Sequence, residues 1–343
     1  MSKFPPLKYN WALVGLLLSM LLFAIFCTND SPVEEETKVE KPKPKARVSV
    51  PRFVADSAYQ YVARQVDFGH RVPNSEAHRQ CRDWLISQFK GFDAKVIAQD
   101  FQAQAYTGVT LNGTNIIAQY NPDHKDRVVL AAHWDTRHIA DYDPDPANQD
   151  KPILGADDGG SGVGVLLEIA RQIQQNPIDL GVDIVLFDLE DHGEGGGEGD
   201  PRSWCLGSQH WSKNPHVPGY RAKFGILLDM VGAKNARFGK DGTSMQYAPQ
   251  IMNKVWKLAN GMGYGAFFVN ERDRAIIDDH YFVNQMTSIP MIDIINRRTD
   301  TETGFGHYWH TQKDNMSVID RRPLRAVGQT VLAVIYKTSD GSF

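Results

Sequence analysis

The sequence predicts an α/β protein: a mostly parallel, mixed central sheet with helices on both faces, in a single globular domain that follows an N-terminal membrane anchor. Three observations carry this. Apolar, β-branched runs alternate with segments of helical spacing along the body. Several of those runs are apolar nearly end to end, as strands buried on both faces are. Polar residues able to bind metal or move protons recur just past the strand ends, where open α/β sheets bind their ligands.

In chain order, residues 1–10 form a short leading segment, and residues 11–27, "WALVGLLLSMLLFAIFC", carry no charge. That run approaches the roughly 20 apolar residues that span a bilayer and exceeds most signal-peptide cores. It reads as a transmembrane anchor; a cleaved signal is the alternative. Lys3 and Lys8 precede it and Glu34, Glu35 and Glu36 follow it, which puts the body on the non-cytoplasmic side, although Lys38, Lys41, Lys43, Lys45 and Arg47 partly oppose that bias. Residues 28–51 are charged and Pro-rich without apolar period, and read as a flexible linker. The globular domain then covers residues 52–343.

Residues 52–68 and 75–89 have helical spacing, with Asn74 or Ser75 as cap and Trp84, Leu85 and Phe89 on one face of the second helix. "KVIAQDF", "TNIIAQY" and "RVVLAAH" follow as strands, the early ones allowing some antiparallel pairing. A helix over 160–174 precedes the strands "VDIVLFDL" and "FGILLDMVG". A helix over 251–262, the strand "IPMIDII" and a last helix over 322–337 complete the domain.

Composition is that of an ordinary globular protein, with 42% hydrophobic and 23% charged residues, and a net charge of −4 leaves no basic footprint for nucleic acid. Only Cys81 and Cys205 lie in the domain, so no disulfide framework holds it, and whether these two are bridged stays open. "GGSGVG" has Val163 where a nucleophile elbow needs glycine, and "GEGGGEGD" has acids where a phosphate loop needs Lys. The glycines at 195–197 mark a loop.

The informative pattern is a set of acids and histidines after the strands: His133 and Asp135, Asp158, Glu190 and Asp191, Asp229, Asp278 to His280, and His310. Carboxylate oxygens with one or two imidazoles suit zinc, and a catalytic zinc keeps one position open. Singly, each residue has a structural explanation as a turn or core hydrogen-bonding group.

"GHRVPNS", "AAHWDTR", "GADDGGSGVGVLLEIAR", "IVLFDLED", "CLGSQHW", "LLDMVGA", "DDHYFV", "IPMIDII" and "YWHTQKDN", in that order, resemble the animal-type glutaminyl-peptide cyclotransferases (glutaminyl cyclases), which share the zinc aminopeptidase-like fold. The resemblance implies one Zn2+ per chain on Asp158, Asp191 and His310, Glu190 as proton-transfer acid and base, and Asp229 and Asp278 holding Glu190 and the substrate amine. It implies Trp309 as an apolar wall. Trp204, in a loop the motifs do not align, is a candidate cover for the pocket. His133 and Asp135 orient the floor of the site or ligate a metal. All five positions that hold two zincs in the aminopeptidases also have candidates here: His133, Asp158, Asp191, Asp229 and His310. A zinc aminopeptidase is therefore the alternative activity, and a non-catalytic, membrane-anchored binding module on the same fold is the third reading. Asp278, where the aminopeptidases usually carry Ser, and Trp309 directly before His310 favour the cyclase. Asp191 departs from the cyclases, which usually carry the longer Glu. The implied substrates are peptides or proteins beginning with Gln.

Overall fold

Alternate residues of a strand face opposite sides, so a strand apolar at every position needs a core on each face. The computed structural model, which describes residues 47–196 and 199–343, has this arrangement. Its main sheet contains β1 (Lys95–Gln104), β2 (Thr110–Tyr120), β3 (Arg127–His133), β4 (Gly181–Phe187), β5 (Gly225–Asp229) and β8 (Met291–Ile295), in the order β1-β2-β4-β3-β5-β8. β4, β3, β5 and β8 pair in parallel, while β2 runs antiparallel to both of its neighbours.

Val128, Leu130, Ala132, Ile184, Leu186, Ile226 and Leu228 enter the larger core, under α1 (Ala55–Asp67), α3 (Gly160–Gln175) and α8 (Arg321–Ser339). Val129, Ala131, Val185, Phe187 and Leu227 enter a smaller core on the other face, under Trp211 of α4 (Leu206–Lys213) and Val283 of α7 (Asp279–Met286). Each fully buried aliphatic side chain contributes about 1.5–3 kcal/mol, so the register of the central strands is fixed from both faces.

The chain steps from β3 to β4 through α3, then returns past β3 to β5 through α4, and these helices cover opposite faces as right-handed crossovers require. This reversal opens a crevice at the carboxyl ends of β3, β4 and β5.

The expected elements are present, with shifted ends. α1 starts at Ala55, and α2 (Glu76–Gly91) is capped by Ser75, whose side chain accepts the His78 N–H. β2 begins at Thr110, extended by pairing with β1 as far as Gln104. α6 (Pro249–Gly261) fills the expected 251–262 helix. Not anticipated were α4, α7, α5 (Gly242–Tyr247) and a small parallel pair, β6 (Phe238–Lys240) with β7 (Phe268–Arg272), all too short to print a period in the sequence.

Docking of the chain on the domain begins before residue 52. The Val48 N–H donates to Asp340 Oδ2, and Gln329 Nε2 donates to the Pro51 carbonyl. The anchor expected at residues 11–27 lies outside the described residues; among those described, no helix is long and apolar enough to cross a membrane. Cys81 and Cys205 are both free and buried.

Candidate active site

The parallel strands end by aiming polar side chains into the crevice. β3 ends at His133. Beyond β4 the chain needs a sharp turn for neighbouring residues to face one cleft, and Leu189 makes it with φ 57°. Asp135 pins the result: its Oδ1 accepts the Glu190 N–H (3.1 Å) and its Oδ2 accepts the Asp191 N–H (3.2 Å). Asp135 thus positions the acid pair, and it belongs to no ligand group among the described residues. Asp188, the first acid of that stretch, is structural, taking His78 Nε2 at 2.9 Å and the Thr114 N–H at 2.6 Å.

Asp158 sits on the loop before α3. Gly159 follows with φ 76°, and a Cβ there would lie 2.8 Å from His133 Cε1, so glycine admits the imidazole. Asp314 fixes the loop by accepting the Asp157 and Asp158 N–H groups at 2.8 and 3.1 Å. The buried Arg71 guanidinium donates to the Trp134, Leu154 and Gly155 carbonyls. Hydrogen bonds from a charged group contribute about 1.5–3 kcal/mol each, which makes Arg71 a major tie for this loop.

Two ligand triads meet at Asp158. In one, His310 Nε2 lies 3.3 Å from Asp191 Oδ1 and 3.7 Å from Asp158 Oδ2. In the other, His133 Nε2 lies 3.0 Å from Asp158 Oδ1 and 3.3 Å from Asp229 Oδ1. The first triad fits a zinc ion. Asp191 Oδ2 is buried without a hydrogen-bond partner, and Asp141 Oδ1 holds His310 Nδ1 at 3.1 Å, which leaves Nε2 as the metal-facing nitrogen. Two carboxylates and one imidazole supply three oxygen and nitrogen ligands, the number a catalytic zinc takes when it keeps a fourth position open. Placed by the turn at Leu189 and the Asp135 clamp, the shorter Asp191 still brings Oδ1 to 3.3 Å from His310 Nε2.

Beside this triad, Glu190, Asp229, Asp278, Asp279 and Asp293 crowd together. Burial, first of all, pushes each of these carboxyls above its usual range. Neighbouring negative charge adds to the shift at Glu190, Asp229, Asp279 and Asp293, and Asp229 is pushed up to about 7. Like charges so close disfavour simultaneous ionisation, so these carboxyls hold protons more readily than isolated ones do.

The cleft has a volume of about 300 Å³, with Asp158, Glu190, Asp191, Asp229, Asp278 and His310 among its lining residues. Trp204 and Trp309 line it too. Trp309 stacks on the His310 ring at 3.6 Å, and Trp204 lies nearly parallel to that ring at 6.1 Å, under the Arg137 guanidinium.

Several residues of this site escaped the sequence reading. Asp141 and Arg137, bonded to each other through two 2.7 Å contacts, support His310 and Trp204. Asp314 and Arg71 stood within quoted motifs without a role, and Asp293 had one signal, an acid inside the apolar strand "MIDII".

The peptidase family M28 model matches residues 115–335. The chain belongs to peptidase family M28. Within that family it is similar to a Zn-dependent exopeptidase of Parabacteroides distasonis, with 55% identity and a TM-score of 0.82 over 84% of this chain and 99% of that one. A glutaminyl cyclase of Bacteroides thetaiotaomicron matches with 53% identity and a TM-score of 0.82, over the same shares. The glutaminyl-peptide cyclotransferase of Drosophila melanogaster is 25% identical over 272 residues, 73% of this chain and 72% of its own. The glutaminyl-cyclase resemblance carried by the ordered motifs therefore stands, and this M28 protein is an enzyme of the zinc aminopeptidase-like superfamily.

Proposed function

We propose that the chain converts the N-terminal glutamine of peptides and proteins to pyroglutamate with release of ammonia. The observation that carries this reading is the Glu190 carboxyl, grouped with that of Asp278 within 4.8 Å beside the Asp158–Asp191–His310 triad. Ring closure consumes no water. It requires a base for the α-amine and a proton for the departing amide nitrogen, and a carboxyl that accepts the first and returns it serves both needs.

Zinc held by Asp158, Asp191 and His310 supplies, when bound, Lewis-acid polarisation of a carbonyl oxygen. Glu190 takes a proton from the substrate α-amine. As the α-nitrogen bonds to the side-chain carbonyl carbon, the bond from that carbon to the amide nitrogen breaks, and Glu190 returns the proton to the leaving ammonia. Asp229 and Asp278 accept hydrogen bonds from the amine and hold Glu190. Trp204 and Trp309 enclose the glutamine side chain and exclude water.

The second triad, His133–Asp158–Asp229, favours an alternative reading as a two-metal aminopeptidase. Incubation with a Gln-initiated and a Leu-initiated peptide separates the two. The expected result is ammonia and a ring-closed product from the first, with one zinc per chain. Free leucine from the second, with two zincs per chain, would establish the aminopeptidase instead. Asp278→Ala is expected to lower cyclisation at least roughly tenfold with metal retained; unchanged cyclisation would remove Asp278 from the mechanism.

The proposed location of the domain is the non-cytoplasmic side of a membrane, held by residues 11–27. Deleting residues 1–29 is expected to move a fully active enzyme from the membrane fraction to the soluble fraction, because the segment that docks on the domain, from Val48 to Pro51, is kept. Loss of activity in the truncated protein would show that this segment contributes to the domain.

A further inference from the structure

Cys205 takes no part in the chemistry described above, yet it touches the group on which that chemistry depends. Its Sγ donates to Glu190 Oε1 at 3.2 Å, and its backbone N–H donates to the Glu190 carbonyl at 2.9 Å. Among the described residues, Sγ is the only side-chain hydrogen-bond donor on the Glu190 carboxylate. His133 Nδ1, the nearest basic nitrogen, stands 3.9 Å from Oε2.

The thiol is rigidly placed. Cys205 caps α4 with φ 56°, its carbonyl accepts from Ser208 Oγ (3.1 Å) and the Gln209 N–H (3.1 Å), and the next residue, Leu206, donates to the Leu189 carbonyl at 3.0 Å. A non-glycine residue in the left-handed region persists only where its surroundings over-determine it. The start of α4 and the turn after β4 therefore form one unit, with Cys205 and Glu190 facing each other across it.

We propose that Cys205 is a positioning residue: its S–H donates to Glu190 Oε1 and holds that carboxylate in the orientation that accepts the substrate's amine proton. This rests on the reading of Glu190 as the base. Thiol chemistry suits the task. Cys205 is fully buried, and burial, followed by the charge of Glu190, pushes the thiol far above its ordinary range, so it stays S–H and is not a nucleophile. A thiol is also a weak donor, which fixes direction while withdrawing little basicity from the carboxylate. Misplacement of a catalytic group by even about 1 Å can cost up to about 10²-fold in rate.

The test compares Cys205→Ala and Cys205→Ser with the wild type as full-length proteins. Alanine keeps the backbone strain but removes the donor, whereas serine restores one. Expected is a fall in kcat of about tenfold for Cys205→Ala with KM within about twofold, and recovery to within about threefold of wild type for Cys205→Ser. Equal losses in both variants, or none in either, would overturn the role. A readout independent of turnover is the infrared S–H stretching band that Cys205→Ala removes. It should be shifted to lower frequency by hydrogen bonding in the wild type and should move back in Glu190→Ala. A band indifferent to Glu190→Ala also overturns the proposal. If the wild type cleaves the Leu-peptide and leaves the Gln-peptide intact, the cyclase reading falls by itself, and the same kcat comparison is read on that hydrolysis.

Discussion

Glu190→Gln is expected to lower turnover by roughly 10²- to 10⁴-fold while the protein keeps its zinc. The amide retains the shape of the side chain and can still meet Cys205 Sγ, and the backbone N–H remains bonded to Asp135, so the fold around the acid pair is unchanged. What is lost is the capacity to accept a proton. Steady-state kinetics should show kcat and kcat/KM falling together, as for an interaction made only in the transition state. Metal analysis of the same sample checks that Asp191, the neighbouring residue, still holds its ligand position. Near-normal cyclisation by this variant would move the proton transfer to another of the clustered carboxyls.

Asp158→Ala should remove bound zinc and activity together. Asp158 supplies one oxygen towards His310 and the other towards His133, so both the His310 triad and the His133 triad depend on it. Loss of a Lewis acid that contributes several kcal/mol to the transition state corresponds to roughly 10³-fold or more in rate. His310→Ala should behave similarly, because three protein ligands leave no spare. His133→Ala separates the two metal arrangements: zinc content stays at the wild-type level if His310, Asp158 and Asp191 form the sole site, and drops by half if there are two. Retention of full zinc content by Asp158→Ala would refute the ligand assignment.

The sequence by itself determined the parallel core of the sheet and the strand ends at which its acids and histidines gather. A strand buried on both faces must be apolar throughout, and a strand that ends at a polar cleft must change character abruptly, so "RVVLAAH", "IVLFDLED" and "GILLDMVG" print both their burial and their ends in one dimension. Only the tertiary structure decided how the residues divide the work. Glu190 and Asp191 are neighbours in a motif, but whether both can face the cleft depends on the left-handed turn at Leu189 and on Asp135, fifty-five residues earlier in sequence, bridging their amides. Asp135 and Asp158 are both acids after β3, yet one receives backbone N–H groups and the other stands between two imidazoles. Cys205, Asp141 and Arg71 carry no periodic or spacing signal, because a hydrogen bond across the fold leaves no trace along the chain. Burial of an apolar side chain is a property of local pattern, whereas the partner of a buried polar group is set by which loops the sheet order brings together.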